Sequence, residues 1–224
     1  MNVIEYADRD MMMIELAQSL AGELNAALMT HDTVSIAVPG GTTPGPVFDS
    51  LSAVELDWER VTVLLTDERW VPETSPRSNT GLLRERLFTG KAARAGFFSF
   101  YTDDATPEAV LEQKSQDILP HLPLSILLLG MGTDMHTASL FPGADRLDDA
   151  LDPKAPALMA MRAPGAPEPR ITLTAPVLRG AMSIHLLITG HDKRRVLEEA
   201  AKMEDERLAP VSVILKNATV HWAE

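Results

Sequence analysis

The chain has 224 residues, 45% hydrophobic and 23% charged, which is enough apolar material for one substantial core and argues against disorder. Its 32 acidic and 20 basic residues leave a formal charge of -12, which excludes the basic footprint of a nucleic-acid binder and disfavours an anionic membrane surface. Cysteine is absent, so disulfides, thiolate nucleophiles and cysteine metal sites are excluded.

The order of apolar and polar residues predicts one domain over residues 1–224. No run is long enough for a membrane span, and residues 1–20 lack the basic-then-apolar order of a signal peptide, so a cytoplasmic location is expected. Residues 8–29 place Met12, Met13, Leu16, Leu20, Leu24 and Leu28 at helical spacing, which predicts an amphipathic helix. Residues 34–38 form a β-branched strand that Pro39, Gly40 and Gly41 interrupt. Thr42 or Thr43 is then expected to cap a helix that starts with Pro44. A second strand at 61–65 runs into the polar loop "TDERW", and "SNTGLLRERLF" predicts a helix capped by Ser78 or Asn79.

Residues 106–119 predict another helix, with Thr106 as cap and Pro107 in its first turn. The most apolar strand, "LSILLLG", ends in Gly130. Short strands are expected at 157–162 and from Arg170, and "SIHLLITGHDKRRVLEEAAKM" reads as strand, glycine turn and helix. "VSVIL" and "TVHWAE" are strand-like. Strands alternating with helices predict an α/β fold, a largely parallel twisted sheet with helices on both faces. In such sheets ligands sit beyond the carboxyl ends of the strands, where "PGGTTP", "TDERW" and "GMGTDMHTAS" would all emerge.

Each of these loops carries chemistry. Gly40, Gly41 and the hydroxyl of Thr42 suit close approach of an anion to backbone N–H groups, and a plain strand-to-helix turn is the alternative. Asp67 and Arg69 follow a buried strand, and arginine suits phosphate. Asp134 and His136 stand two apart, so the carboxylate can orient an imidazole that titrates near neutrality. Lys193 opens a helix where an anion would offset its charge, and Arg170 is a further cation. Zinc is not expected, because no HxH or HxxxH spacing accompanies the Asp–His pair.

Taken together, "PGGTTP" at 39–44, "DERWVP" at 67–72, "SN" at 78–79, "GMGTDMHTASLFPG" at 130–143, "RITLT" at 170–174 and "ITGHDK" at 188–193 resemble the 6-phosphogluconolactonase family. The order matches and the elements span most of the chain. The resemblance implies hydrolysis of 6-phospho-D-glucono-1,5-lactone in the oxidative pentose phosphate pathway. It also implies a fold related to glucosamine-6-phosphate deaminase and ribose-5-phosphate isomerase, no metal or organic cofactor, and a small sugar-phosphate lactone as its partner; monomer and homodimer both stay open. His136 and Asp134 then become the catalytic pair. Gly40, Gly41, Thr42, Asp67, Arg69, Arg170 and Lys193 become the substrate and phosphate site.

One departure stands at Met135, where the family has glycine between the aspartate and the histidine. The backbone there is expected to be ordinary or mildly strained. Two other functions remain open: a sugar-phosphate deaminase or isomerase on the same scaffold, and a sugar-phosphate sensor without turnover.

Overall fold

A computed structural model describes residues 1–224. The first half comprises β1 (Asn2–Glu5), α1 (Arg9–Leu28), β2 (Val34–Val38), α2 (Gly45–Ser52), β3 (Val61–Leu65), β4 (Asp67–Arg69), α3 (Asn79–Arg86), β5 (Gly96–Phe98) and α4 (Leu111–Asp117). The second half comprises β6 (Ile126–Gly130), α5 (Leu147–Leu151), β7 (Leu158–Met161), β8 (Arg170–Leu173), α6 (Ala175–Arg179), β9 (Ser183–Thr189), α7 (His191–Ala200), α8 (Ser212–Leu215) and β10 (Thr219–Ala223).

Seven strands form one sheet in the order β1-β10-β9-β6-β2-β3-β5, and every pairing in it is parallel. Successive strand residues point to opposite faces, and all five residues of β2 are buried, so helices and loops must cover both sides. The core is a cluster of 58 buried apolar residues that includes side chains of nearly every element. The predicted stripe of α1 is the buried one: Met12, Met13, Leu16, Leu20, Leu24 and Leu28 all face inward, and Asp8 caps the helix by accepting from the Met11 N–H at 2.8 Å. No helix is long and apolar enough to cross a membrane.

Several local expectations are corrected. The "DER" triplet is the strand β4, which pairs antiparallel with β8 in a separate three-stranded sheet, β4-β8-β7. Residues 106–119 are split into a 3-10 turn and the seven-residue α4, none of whose residues is buried. A helix lacking an inward stripe has little to hold it continuous. "VSVIL" gives the helix α8, with Val213, Ile214 and Leu215 buried and packed near α6. An apolar run this short carries no period that could distinguish helix from strand. Neither Thr42 nor Thr43 caps α2, whose N-cap is Pro44 with no side-chain hydrogen bond.

Candidate active site

The strand order places the loops. After β2 the chain moves outward through β3 to β5, and after β6 it returns through β9 and β10 on the other side. Because β2 and β6 are neighbours, the loops that leave them diverge and open a crevice at the switch point. A cavity of about 310 Å³ lies there. It is lined by the Gly40–Thr43 loop, Asp67, Arg69, Asn79, Gly130 to Gly132, His136, Arg170 and Lys193.

The loop after β6 folds into two tight turns. The Met135 N–H donates to the Gly132 carbonyl and the Gly132 N–H to the His136 carbonyl, both at 3.0 Å. This closure brings the Asp134 carboxylate against the imidazole, with Oδ1 2.5 Å from His136 Nδ1. An Nδ1–H donated to Asp134 leaves Nε2 as an acceptor toward the cavity. The dyad lies directly over Gly132, where a Cβ would overlap His136 Nδ1, His136 Cε1 and Asp134 Oδ1. Gly132 is therefore required by the side chains above it.

The backbone here is strained. Met135 has φ +66° and Ala138 φ +48°, so two non-glycine residues flanking His136 occupy the left-handed region. Met135 thus takes the strained of its two expected conformations. Its side chain is only 9% exposed and joins the apolar core beneath the loop.

Three cations face the cavity. Arg69 and Arg170 are direct cross-strand partners in the β4–β8 pair. Like charges in that position repel, and each guanidinium keeps a buried Nε with no partner. Burial lowers the pKa of Arg170; Asp67 opposes that shift and Arg69 adds to it. Asp67 Oδ2 lies 3.4 Å from Arg170 Nη1 and accepts from the Ser139 hydroxyl at 2.6 Å. Lys193, in the first turn of α7, forms no ion pair, and burial lowers its pKa. Two unpaired Nε–H donors and one unpaired ammonium in a half-buried cavity form a site for an anion.

The glycine loop adds donors. The N–H groups of Gly41, Thr42 and Thr43 make no backbone hydrogen bond, and Gly41 has φ +85°. Gly40 is needed for another reason: a Cβ there would collide with the Asn79 amide, which donates to the Asp67 carbonyl at 2.8 Å. Glu68 points away from the cavity into the start of α3. It accepts from the Asn79 N–H at 2.9 Å, the Thr80 N–H at 2.7 Å and the Thr80 hydroxyl at 2.8 Å. Burial raises its pKa against the pull of these bonds.

Every residue the sequence singled out for the site is therefore in one place. Gly40, Gly41, Thr42, Asp67, Arg69, His136, Arg170 and Lys193 line the cavity, and Asp134 stands behind His136. Asn79 was expected only as a helix cap, yet it lines the cavity, while Ser78 is the cap and accepts from the Gly81 N–H. Ser139 was also missed. Its role depends on Asp67 and Thr172 from distant segments, and no local pattern announces it. No group of three His, Asp or Glu side chains converges as metal ligands would.

A parallel sheet with its crevice at the switch point, an Asp–His pair and three cations, of which Arg69 and Lys193 lack an ion-pair partner, mark an α/β protein whose cavity suits a small anion. A family model described as glucosamine-6-phosphate isomerases/6-phosphogluconolactonase matches residues 7–222, and the chain belongs to that family. It is 43% identical to a 6-phosphogluconolactonase of Pseudomonas aeruginosa over 92% of this chain and 88% of the relative. It is 42% identical to one of Rhizobium meliloti, over 93% and 92%. The crystal structure of a 6-phosphogluconolactonase from Shewanella baltica superposes with a TM-score of 0.95 at 30% identity, covering 100% of this chain and 97% of that one. A monomeric glucosamine-6-phosphate deaminase shares the fold, with a TM-score of 0.82 at 17% identity.

Proposed function

We infer that this chain hydrolyses 6-phospho-D-glucono-1,5-lactone to 6-phospho-D-gluconate, a step of the oxidative pentose phosphate pathway, as a cytoplasmic enzyme. The observation that carries this reading is the Asp134–His136 contact at a cavity that three cations line, two of them, Arg69 and Lys193, without an ion-pair partner.

The substrate phosphate is held by Arg69 and Lys193 with the N–H groups of Gly41 and Thr42, and Arg170 adds positive charge. His136 Nε2 removes a proton from water, whose oxygen attacks C1 of the lactone. Asp134 holds the imidazolium that results. As the tetrahedral oxyanion collapses, the C1–O5 bond breaks and His136 returns its proton to O5. The new carboxylic acid then loses its own proton to solvent. Binding the phosphate fixes the ring against the base, so the steps need only groups of this chain.

The geometry disfavours deaminase or isomerase chemistry, which needs a free carboxylate to abstract a C–H proton. Asp67 is the carboxylate that lines the cavity, and it is committed to Ser139 and Arg170.

The test generates the lactone in place by oxidising glucose 6-phosphate and follows NADPH formation through 6-phosphogluconate dehydrogenase. The wild type accelerates the second phase. His136→Ala lowers kcat about 10²–10⁴-fold, and Arg69→Ala raises KM about tenfold or more with a smaller change in kcat. Tight binding of 6-phosphogluconate without acceleration would instead establish a sensor, and release of ammonia from glucosamine 6-phosphate a deaminase.

A further inference from the structure

Phe141 takes no part in the steps above, yet its ring lies on the base. The imidazole of His136 and the Phe141 ring stack with centroids 4.1 Å apart and planes at 27°. The Arg170 guanidinium also sits against the Phe141 ring, 5.1 Å from its centroid. The stack is built by the fold. The Leu140 N–H donates to the Thr137 carbonyl at 3.0 Å, closing a turn through the left-handed Ala138. The turn is pinned at both ends. The Thr137 hydroxyl donates to the Gly130 carbonyl at 2.9 Å, and Ser139 is tied to Thr172 and Asp67 at 3.1 and 2.6 Å. These ties return the chain so that residue 141 covers residue 136.

We propose that Phe141 is a positioning residue: its ring fixes the plane of the His136 imidazole and stabilises the imidazolium formed when His136 takes a proton. The proposal rests on His136 being the base. The charged groups around the imidazole are Asp134 on its own loop, Arg170 from β8 with Asp67 behind it on β4, and Arg69 and Lys193 across the cavity. Asp134 and the electron-rich face of Phe141 favour the protonated ring, and the three cations oppose it. Asp134 grips a single nitrogen, which leaves the ring free to swing about that contact; the stacked phenyl face removes this freedom.

The test compares Phe141→Leu and Phe141→Tyr with the wild type. Each protein is labelled with carbon-13 at histidine Cε1, and the His136 signal is assigned by its loss in His136→Gln. In Phe141→Leu the His136 signal titrates at lower pH than in the wild type. Its kcat falls about three- to tenfold with KM within about twofold. Phe141→Tyr keeps both near the wild type, because an aromatic face is retained. If Phe141→Leu does not fold, Phe141→Met is read in its place.

An unshifted His136 titration together with unchanged kcat overturns the proposal. A raised KM at unchanged kcat also overturns it and makes Phe141 a substrate contact. The titration is independent of turnover, so a protein without lactonase activity sinks the functional reading while the stack is still tested.

Discussion

His136 leaves one ring nitrogen open to the cavity and keeps 30% of its side chain exposed, whereas His185 and His221, 3% and 1% exposed, use all four of theirs. Those two lie between α1 and the sheet in a continuous chain. The Tyr6 hydroxyl meets His221 Nδ1 at 2.7 Å, His221 Nε2 meets His185 Nδ1 at 3.0 Å, and His185 Nε2 meets Glu23 at 3.1 Å. The chain ties the segment after β1, strands β10 and β9, and helix α1 together. A histidine with both nitrogens satisfied holds structure, and one with a single nitrogen oriented by a carboxylate is free to move a proton. The contrast follows from the loops: the strained turn at 132–138 exposes its histidine, and the regular strands bury theirs.

The largest effect that would break the contrast is at Gly132. Its backbone lies outside the left-handed region, so alanine is tolerated there by the main chain. The added Cβ overlaps both members of the Asp134–His136 pair and must displace them. Gly132→Ala should therefore lower kcat by about 10²-fold or more, on the scale of removing the base, while KM stays within about threefold. Steady-state kinetics in the coupled assay measures this. An alanine variant with full kcat would mean that the dyad is not fixed in the geometry described.

The second effect concerns the buried chain and is read in stability. Burial pushes the His221 pKa down to about 4, with His185 adding to the shift and Glu23 opposing it. The unfolded state, with an ordinary histidine, binds the proton first as pH falls. The stabilisation is therefore complete above about pH 6.5 and is lost between there and about pH 4, amounting to about 3 kcal/mol. Burial raises the pKa of Glu23, but its hydrogen bonds to His185 and Ser183 outweigh this and leave it lowered, so its contribution also disappears on acidification. The melting temperature should fall by roughly 6–10 °C from pH 7 to pH 4.5. In His221→Gln it starts lower and falls less, with kcat at pH 7 within about twofold of the wild type. A variant that melts with the wild-type slope would remove His221 from the acid response.

How much of this was legible in the sequence follows from range. The strands at 34–38, 61–65 and 183–189 declared themselves because a strand buried on both faces is mostly apolar, with few polar residues interrupting the run. The His136 loop was legible as a motif, and so were Arg69, Arg170 and Lys193. What was not legible is held by partners far along the chain. Asp67–Arg69 is a strand only because Arg170–Thr172 pairs with it, and three charged residues carry no period of their own. The Phe141 stack was also invisible, since it needs two residues in left-handed conformation and a serine tied to Asp67. The sequence pattern named the residues that meet at the cavity, and the geometry that orients them depends on pairing no local window contains.

The smallest expected effect separates strain from packing within the strained region itself. Met135 stands where the family has glycine, and its left-handed backbone costs about 1 kcal/mol relative to glycine. Its side chain is nevertheless buried and does not line the cavity, and its carbonyl accepts from the Val211 N–H at 3.0 Å, tying the loop to the start of α8. Burial of a methionine contributes about 2 kcal/mol, and glycine loosens the unfolded chain by a further 0.5–1 kcal/mol, roughly. Packing should therefore outweigh strain relief. Met135→Gly is expected to melt about 3–6 °C below the wild type, with kcat and KM unchanged within about twofold because the loop already has the conformation glycine favours. A higher melting temperature would show that strain dominates at this position. A loss of kcat at unchanged stability would show that the Met135 side chain, and not only the turn it occupies, holds His136 in place.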